Sequence, residues 1–309
     1  MTRPAPRSIE EYLRQLRTAL EGEDPALIQD ALYDAEEYLR AEVAAHPDRG
    51  EADVLELIAN TYGAPEEVAA AYRDTEVKVK AALAPPTPPA ARSGWRRFFA
   101  VYSDPRAYTS LFFMLLALAT GIVYFTVTVT GLSLSLGLAI LIIGVPFFLA
   151  FIGITRAMAL AEGRLIEAVT GERMPRRPPH PGAKASLWTR IAGMLTDWRT
   201  WSTLVYFLLM LPLGIIYFTV AVTGLSVGVA CVTAPIAVAM QRLGWIGSGW
   251  IDSAWQGEGL HAEPAWLAGF WGLLLLFILG VALVTLLMHL ARGIGRLHAR
   301  LAKALLVAG

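Results

Sequence analysis

The chain of 309 residues is 55% hydrophobic and only 17% charged, and its mean hydropathy is +0.50. Soluble domains carry about 25% charged residues, so the composition disfavours both a single soluble globule and a disordered chain. The net charge of zero hides two opposite parts: residues 1–84 carry 9 Lys/Arg and 18 Asp/Glu, a charge of −9, and residues 85–309 carry 17 and 8, a charge of +9. An acidic N-terminal part would meet phosphate with the wrong sign, so we expect no direct binding of nucleic acid.

The acidic part predicts a small bundle of four amphipathic helices. Ser8-x-x-Glu11 is typical of a capping box, and apolar residues follow it at helical spacing. Asp24-Pro25 begins a second helix, with Asp as the N-cap and Pro in the first turn. A third short helix ends at Gly63, and Pro65 starts the fourth. A bundle this small has a thin core, so we expect it to contact a partner or a second copy.

Three stretches of this module match a known pattern. They are Tyr12-Leu13-x-x-Leu16, then Asp30 with Tyr33-Asp34-x-Glu36-Glu37-Tyr38, and Tyr62-Gly63-Ala64-Pro65-Glu66-Glu67-Val68-Ala69. On these residues the segment 8–73 resembles the HAAS-type signalling module. The resemblance implies an all-helical cytoplasmic domain that is joined to membrane segments and has a PadR-type transcription regulator as its partner.

The acidic residues of the module allow two interpretations. They form either the solvated side of its helices or a docking face for a basic partner. The candidate partner face consists of Asp30, Asp34, Glu36, Glu37, Glu66 and Glu67.

Long apolar segments follow a proline-rich linker at residues 84–94. Residues 107–155 and 200–241 contain no Asp, Glu, Lys or Arg, and residues 264–291 contain only His289 among ionisable residues. A membrane span needs about 20 apolar residues. The predicted fold class is therefore all-α, with a small N-terminal helical bundle at residues 1–83 and a polytopic α-helical membrane domain.

An internal repeat divides the membrane domain. Asp104-x-Arg106 matches Asp197-x-Arg199 at an offset of 93 residues, and Gly121 and the run 124–133 recur at the same offset as Gly214 and 217–226. Residues after the apolar segments match at an offset of 136: Arg156, Arg164 and Leu165 correspond to Arg292, Arg300 and Leu301. We therefore expect two repeated helical hairpins. The first covers residues 95–176 and the second residues 200–309, and a basic connection lies at 177–199.

The distribution of Lys and Arg orients these hairpins. Basic residues precede the first apolar segment, fill the connection and follow the last segment, which places all three in the cytoplasm. Both termini would then be cytoplasmic in a multi-pass protein of the bacterial inner membrane, after an even number of crossings. Five apolar segments can nevertheless be counted, at 108–129, 132–155, 201–222, 225–241 and 266–290, with the first turn near Thr130-Gly131.

Five apolar segments conflict with an even number of crossings. The short segment 225–241 allows two explanations of this conflict. We interpret it as a re-entrant or surface-lying part of an insertion over residues 225–264, followed by the last span and a C-terminal amphipathic helix. The alternative is a true fifth crossing with an outside C-terminus. The first interpretation leaves a tryptophan-rich extracytoplasmic stretch that either rests on the membrane or senses an envelope signal. The candidate sensing loop consists of Trp245, Trp250, Asp252, Trp255, Glu258 and His261.

The paired Tyr-Phe-Thr-Val-x-Val-Thr-Gly-Leu-Ser blocks and Gly144-Val145-Pro146 carry a second resemblance. On these residues and on the Arg-rich helices after the spans, residues 100–309 resemble the sensor membrane domain that often precedes bacterial histidine kinases. In those relatives the kinase follows the last span, which agrees with a cytoplasmic C-terminus. Here we expect the output to pass through the N-terminal module.

The sequence favours a regulatory role over an enzymatic one. It has no phosphate-binding Gly-rich loop, His-Glu-x-x-His, Cys-x-x-Cys or Gly-x-Ser-x-Gly, and its lone Cys231 excludes a multi-cysteine metal site. We expect no cofactor. The predicted function is a membrane sensor that passes an envelope or lipid-state signal to a cytoplasmic partner, with membrane lipids as further partners.

Two other functions stay open on the sequence alone. They are an accessory subunit of an export permease or small-solute channel, and a structural membrane scaffold. Ala117-x-x-x-Gly121 permits close helix approach, so a homo-oligomer is also open.

Overall fold

The computed structural model describes residues 6–83, 94–140, 144–175, 193, 196–245, 247 and 269–307. Every regular element in these residues is a helix, which confirms the all-α fold class. The N-terminal helices are α1 (Ile9–Ala19), α2 (Pro25–Ala45), α3 (Glu51–Thr61) and α4 (Pro65–Leu83). The following elements are α5 (Gly94–Phe99), a 3-10 turn (Ala100–Ser103), α6 (Pro105–Leu138), α7 (Gly144–Thr170), α8 (Trp198–Arg242) and α9 (Phe270–Leu306).

The N-terminal helices begin and end where their capping residues predict. The Ser8 hydroxyl accepts a hydrogen bond from the Glu11 N–H at 3.2 Å, and the Asp24 carboxylate accepts one from the Ala26 N–H at 2.9 Å. The carboxylate of Glu11 accepts from the N–H of Arg7 rather than that of Ser8, so the capping box is displaced by one residue. Between α3 and α4 the backbone of Gly63 has a φ of +107°, which favours glycine.

The core of the N-terminal module is small but continuous. Tyr12 and Leu16 of α1, Leu39 of α2 and Leu55 of α3 are almost completely buried in one cluster. The Tyr12 hydroxyl also donates to the Gly63 carbonyl at 2.9 Å, which ties α1 to the turn before α4. The module is thus held by a few large side chains, as its size requires.

Tyr72 of α4 makes the stability of the module dependent on pH. Its hydroxyl donates to the Asp34 carboxylate at 3.3 Å, and burial together with the charge of Asp34 raises the pKa of Tyr72 above its ordinary value of 10.0. The stabilising contribution of the neutral phenol is therefore complete below pH 10 and is lost as the pH rises through the folded pKa. We expect Tyr72→Phe to cost about 1 kcal/mol near pH 8.

Thermal unfolding of the full chain in detergent, monitored at pH 8 and pH 11, would measure this effect. The difference between wild type and Tyr72→Phe should shrink at the higher pH, because only the tyrosine can ionise. A difference that stays constant between the two pH values would contradict the assignment.

Among the residues that the structure describes, four helices are long and apolar enough to cross a membrane: α6, α7, α8 and α9. The 45 residues of α8 span about 68 Å at 1.5 Å per residue, roughly twice the 30 Å thickness of a hydrocarbon core. The protein is therefore a multi-pass helical membrane protein.

Two expected chain breaks do not occur. The turn expected near Thr130-Gly131 is wrong, because α6 continues to Leu138. Residues 225–241 are also not a separate re-entrant or surface-lying segment, since they continue α8 without interruption from residues 201–222. Glycine and proline are tolerated inside membrane helices because neighbouring groups satisfy the backbone hydrogen-bonding groups that they free. The five counted segments thus merge into four candidate spans.

The chain divides into two compact units. The first contains residues 1–90, 127–206 and 299–309, and the second contains residues 91–126 and 207–298. The first unit therefore joins the N-terminal module to α7 and to parts of α6, α8 and α9. In the second unit, Arg292 of α9 pairs with Asp104 at 3.0 Å, and Tyr102 and Thr285 share a hydrogen bond of 2.9 Å.

Candidate functional site

A buried arginine joins the N-terminal module to the end of α7. The Nη2 atom of Arg173 lies 3.0 Å from Oδ2 of Asp30 in α2, and its Nη1 atom contacts Oε2 of Glu76 in α4. The three side chains are 15%, 7% and 8% exposed, respectively. Buried ionised groups are tolerated only when they are paired. Arg173 therefore holds α2 and α4 together against the end of α7.

Two further cations bind the same module. The Nζ atom of Lys303, near the end of α9, lies 2.6 Å from Oδ2 of Asp24. Arg199, in the first turn of α8, donates to Oε1 of Gln29 and to the carbonyl of Val307, both at 3.3 Å. The N-terminal half of α2 and its N-cap are thus contacted by Arg173, which follows the end of α7, by Arg199 of α8 and by Lys303 of α9. We name this set the docking junction: Asp24, Gln29, Asp30 and Glu76 of the module with Arg173, Arg199 and Lys303.

A partly enclosed cavity of about 60 Å³ adjoins the docking junction. Its polar lining consists of Gln29, Thr155, Arg156, Asp197, Arg199, Thr200 and Thr203, and its apolar lining includes Ile152, Leu160, Met174 and Leu306. Arg156 approaches Asp197 at 4.0 Å, and the Thr200 side chain is largely buried. We call this space the junction cavity. It brings together groups of α2, α7, α8 and α9 in one polar site.

The six residues of the candidate partner face lie in different surroundings. Asp30 is buried against Arg173, and Glu36 is buried and pairs with Arg40 at 2.5 Å. Asp34 is partly buried and accepts from Tyr72. The exposed members of the set are Glu37, Glu66 and Glu67, of which Glu67 also accepts from the Ala64 N–H at 3.1 Å.

The candidate sensing loop is described at one position only. Trp245 is 74% exposed and follows Gly244, whose φ of +74° ends α8. Trp250, Asp252, Trp255, Glu258 and His261 lie outside the described residues.

Residues at matching positions of the sequence repeat make matching contacts. The Arg156–Asp197 pair of the first unit corresponds to the Arg292–Asp104 pair of the second, because the offsets are 136 and 93 in both cases. The distances differ: 4.0 Å in the first unit and 3.0 Å in the second.

A second matching set involves ionisable residues that the sequence analysis did not select. Glu162 of α7 is fully buried and accepts a hydrogen bond of 2.9 Å from the Tyr206 hydroxyl. At the matching positions His298 packs on Phe113, with ring centroids 4.8 Å apart, and its Nδ1 lies 3.4 Å from the Tyr217 hydroxyl. The offset of 136 that relates Glu162 to His298 could have identified both residues from the sequence.

The fold and its junction define a class: a multi-pass helical membrane protein whose N-terminal helical module is held by cations from α8, from α9 and from the segment that follows α7. The family model described as "Putative sensor" matches residues 113–306, and the chain belongs to this family. The match confirms the expected sensor membrane domain and indicates a sensor role. It does not extend over the N-terminal module. No curated protein and no solved structure matches the chain.

Proposed function

We propose that the protein is a sensor of the bacterial inner membrane that reports the arrangement of its membrane helices to a cytoplasmic transcription regulator through the docking junction. The observation that carries this proposal is the burial of Arg173 between Asp30 and Glu76. A shift at the end of α7 must either carry the module along or break these two ion pairs. In this proposal the docked and the separated module are the two states, and a switch needs two states with different affinity for a partner.

The orientation of the sensor follows from charge. Lys303 near the end of α9 contacts Asp24 of the module, which supports a position of the module and the end of α9 on the same face of the membrane. Cytoplasmic flanks carry an excess of Lys and Arg, which supports a cytoplasmic position for this shared face. The repeated hairpins belong to the same proposal and are supported by the matching contacts of the two sequence copies.

The regulator competes with the membrane domain for the module in this proposal. Asp30 belongs to the candidate partner face, yet in this structure its carboxylate is held by Arg173. The exposed carboxylates, such as Glu37, are accessible in both states, whereas Asp30 and Glu76 become accessible only when the module separates from α7. The resemblance of segment 8–73 to the HAAS-type module supports a PadR-type regulator as this partner. Sensor-family membership favours a role without catalysis.

Binding of a regulator to oriented membrane vesicles tests the proposal. Inside-out vesicles that contain the full chain should co-sediment a purified PadR-type regulator from the same organism, and right-side-out vesicles should not. Glu37→Lys should weaken binding about tenfold, because it places a cation opposite a basic partner. The matched control is Asp48→Lys, an equally exposed charge reversal between α2 and α3, which should change binding less than about twofold. Equal binding to both vesicle orientations would refute the proposal.

A further inference from the structure

The junction cavity has the size of a small polar group. A buried water needs about 10–15 Å³ on the same scale, so about 60 Å³ accommodates four or five heavy atoms. An acyl chain or a drug-sized molecule does not fit. The occupant that the space suits is a compact group with about four oxygen atoms.

The charge of the cavity lining is positive. Arg156 and Arg199 face one carboxylate, that of Asp197, and the Arg156–Asp197 distance of 4.0 Å is loose. The guanidinium of Arg199 donates to neutral oxygens, those of Gln29 and Val307. One positive charge is thus in excess, and a partly buried excess charge favours a counterion.

Thr200 adds a hydroxyl group to this lining. Its side chain is 8% exposed, and its Oγ1 atom has no hydrogen-bond partner among the residues that the structure describes. A buried hydroxyl without a partner is costly, so this group is available to a ligand atom in the cavity. Thr200 also lies in the first turn of α8, where the partial positive charge of the helix N-terminus favours an anion.

We propose that the junction cavity binds a phosphate-type oxyanion between Arg156, Arg199 and Thr200. Guanidinium groups form charge-assisted hydrogen bonds with phosphate oxygens, and the threonine hydroxyl supplies a further donor. The same chemistry is presented by free phosphate and by an anionic lipid headgroup. Gln29 of the module lines the cavity as well, so the bound anion also alters docking of the module. This last consequence rests on the proposed function, whereas binding itself does not.

The second unit provides an internal comparison, because it contains the positions that match those of the cavity through the sequence repeat. At its matching positions Arg292 and Asp104 pair at 3.0 Å, and the position of Thr200 is taken by Ala107, which is fully buried. The position of Arg199 is taken by Arg106, which is exposed. The second unit therefore has a tighter ion pair and lacks the hydroxyl, so the proposed site belongs to the first unit.

Two probes test whether the junction cavity binds an oxyanion and whether that oxyanion is free phosphate or a lipid headgroup. Inorganic phosphate is titrated calorimetrically into the full chain in a phosphate-free maltoside detergent. Phosphatidylglycerol, with diacylglycerol as its phosphate-free counterpart, is added to the same sample and its adducts are counted by native mass spectrometry. For the probe that binds, Arg199→Gln should weaken affinity at least about tenfold and Thr200→Ala about threefold, while Arg106→Gln should stay within about twofold.

The results of the two measurements distinguish free phosphate from a lipid headgroup, and they test the binding site separately from the proposed function. Calorimetric binding without a lipid adduct assigns the site to free phosphate, and a lipid adduct that Arg199→Gln abolishes assigns it to the headgroup. Thr200→Ala introduces the residue that the other copy already has, and Arg199→Lys keeps the charge if Arg199→Gln fails to assemble. Binding of neither probe, or binding that the cavity variants leave unchanged, overturns the inference. Neither probe requires the regulator, so a failure of the proposed function remains a separate result.

Discussion

Replacing Arg173 with alanine is expected to release the N-terminal module from the membrane helices without unfolding it. The substitution leaves Asp30 and Glu76 buried, negatively charged and without their shared cation. Removing one partner of a buried ion pair costs about 3–5 kcal/mol, because the remaining charge is uncompensated. The core of the module does not include Arg173, so the module itself should stay folded.

Hydrogen exchange of the full chain in nanodiscs measures this release. Amides of α2 and α4 near Asp30 and Glu76 should exchange faster in Arg173→Ala, while amides around Tyr12 keep their protection. The matched control is Arg164→Ala, which removes an exposed arginine from α7. Unchanged exchange in Arg173→Ala would show that the ion pairs do not hold the module.

A rescue variant distinguishes the effect of losing the charge of Arg173 from the effect of losing its packing contacts. In the Arg173→Ala background, Asp30→Asn together with Glu76→Gln removes both uncompensated charges and should restore part of the lost protection, because an unpaired buried amide costs less than an unpaired buried charge. If the proposed function is correct, Arg173→Ala alone should also bind the regulator more tightly, because the carboxylate of Asp30 becomes accessible.

Local signals account for the part of the fold that the sequence predicts well. The N-terminal helices depend on capping residues such as Ser8, Asp24 and Gly63, which act within a few residues of their own position. The apolar lengths likewise predict helices in the membrane, because a backbone in lipid must satisfy its own hydrogen bonds.

The same physical principle explains where the prediction fails. Thr130-Gly131 has the composition of a turn in water, yet α6 continues through it, and α8 continues through residues 223–224 between two of the counted segments. Only the environment distinguishes a glycine that ends a helix from one that permits close packing. The expected turn at Thr130-Gly131 depends on a rule for glycine in water, whereas the expected separate segment 225–241 depends on its short length and on an even number of crossings.

The sequence predicts attraction between its two oppositely charged parts, but it does not predict which residues form the ion pairs. The opposite charges of residues 1–84 and 85–309 indicate attraction between the two parts. They do not reveal that Asp30 pairs with Arg173 or that Asp24 pairs with Lys303, since 143 and 279 positions, respectively, separate the partners. Such pairing depends on the tertiary arrangement of several helices, which a single sequence does not encode at any local spacing.

Substituting the glycines at the crossing of α6 and α8 is expected to give the largest loss of stability in the second unit. A Cβ atom at Gly121 would lie 2.5 Å from the carbonyl oxygen of Met210, and one at Gly214 would lie closer still to the carbonyl oxygen of Ala117. Both clashes involve backbone atoms, so no side-chain movement relieves them. Ala117 matches Met210 and Gly121 matches Gly214, each at the repeat offset of 93 residues. Each of the two helices therefore presents the same pair of repeat positions at the crossing. The Ala117-x-x-x-Gly121 motif thus has a packing partner within this chain.

We expect Gly121→Ala and Gly214→Ala each to destabilise the protein by about 1–3 kcal/mol, as overpacking does, because the helices must move apart. The control is Gly153→Ala in α7, where an added Cβ meets no atom within 4 Å, so the higher helix propensity of alanine should leave stability unchanged or raise it slightly. Thermal unfolding in detergent, followed by tryptophan fluorescence, compares the three variants. The variant with both Gly121→Ala and Gly214→Ala should lose less stability than the sum of the two single losses. The helices that move apart to accommodate one Cβ atom also make room for the other. If Gly214→Ala unfolds at the same temperature as Gly153→Ala, the close crossing does not exist and the two helices meet elsewhere.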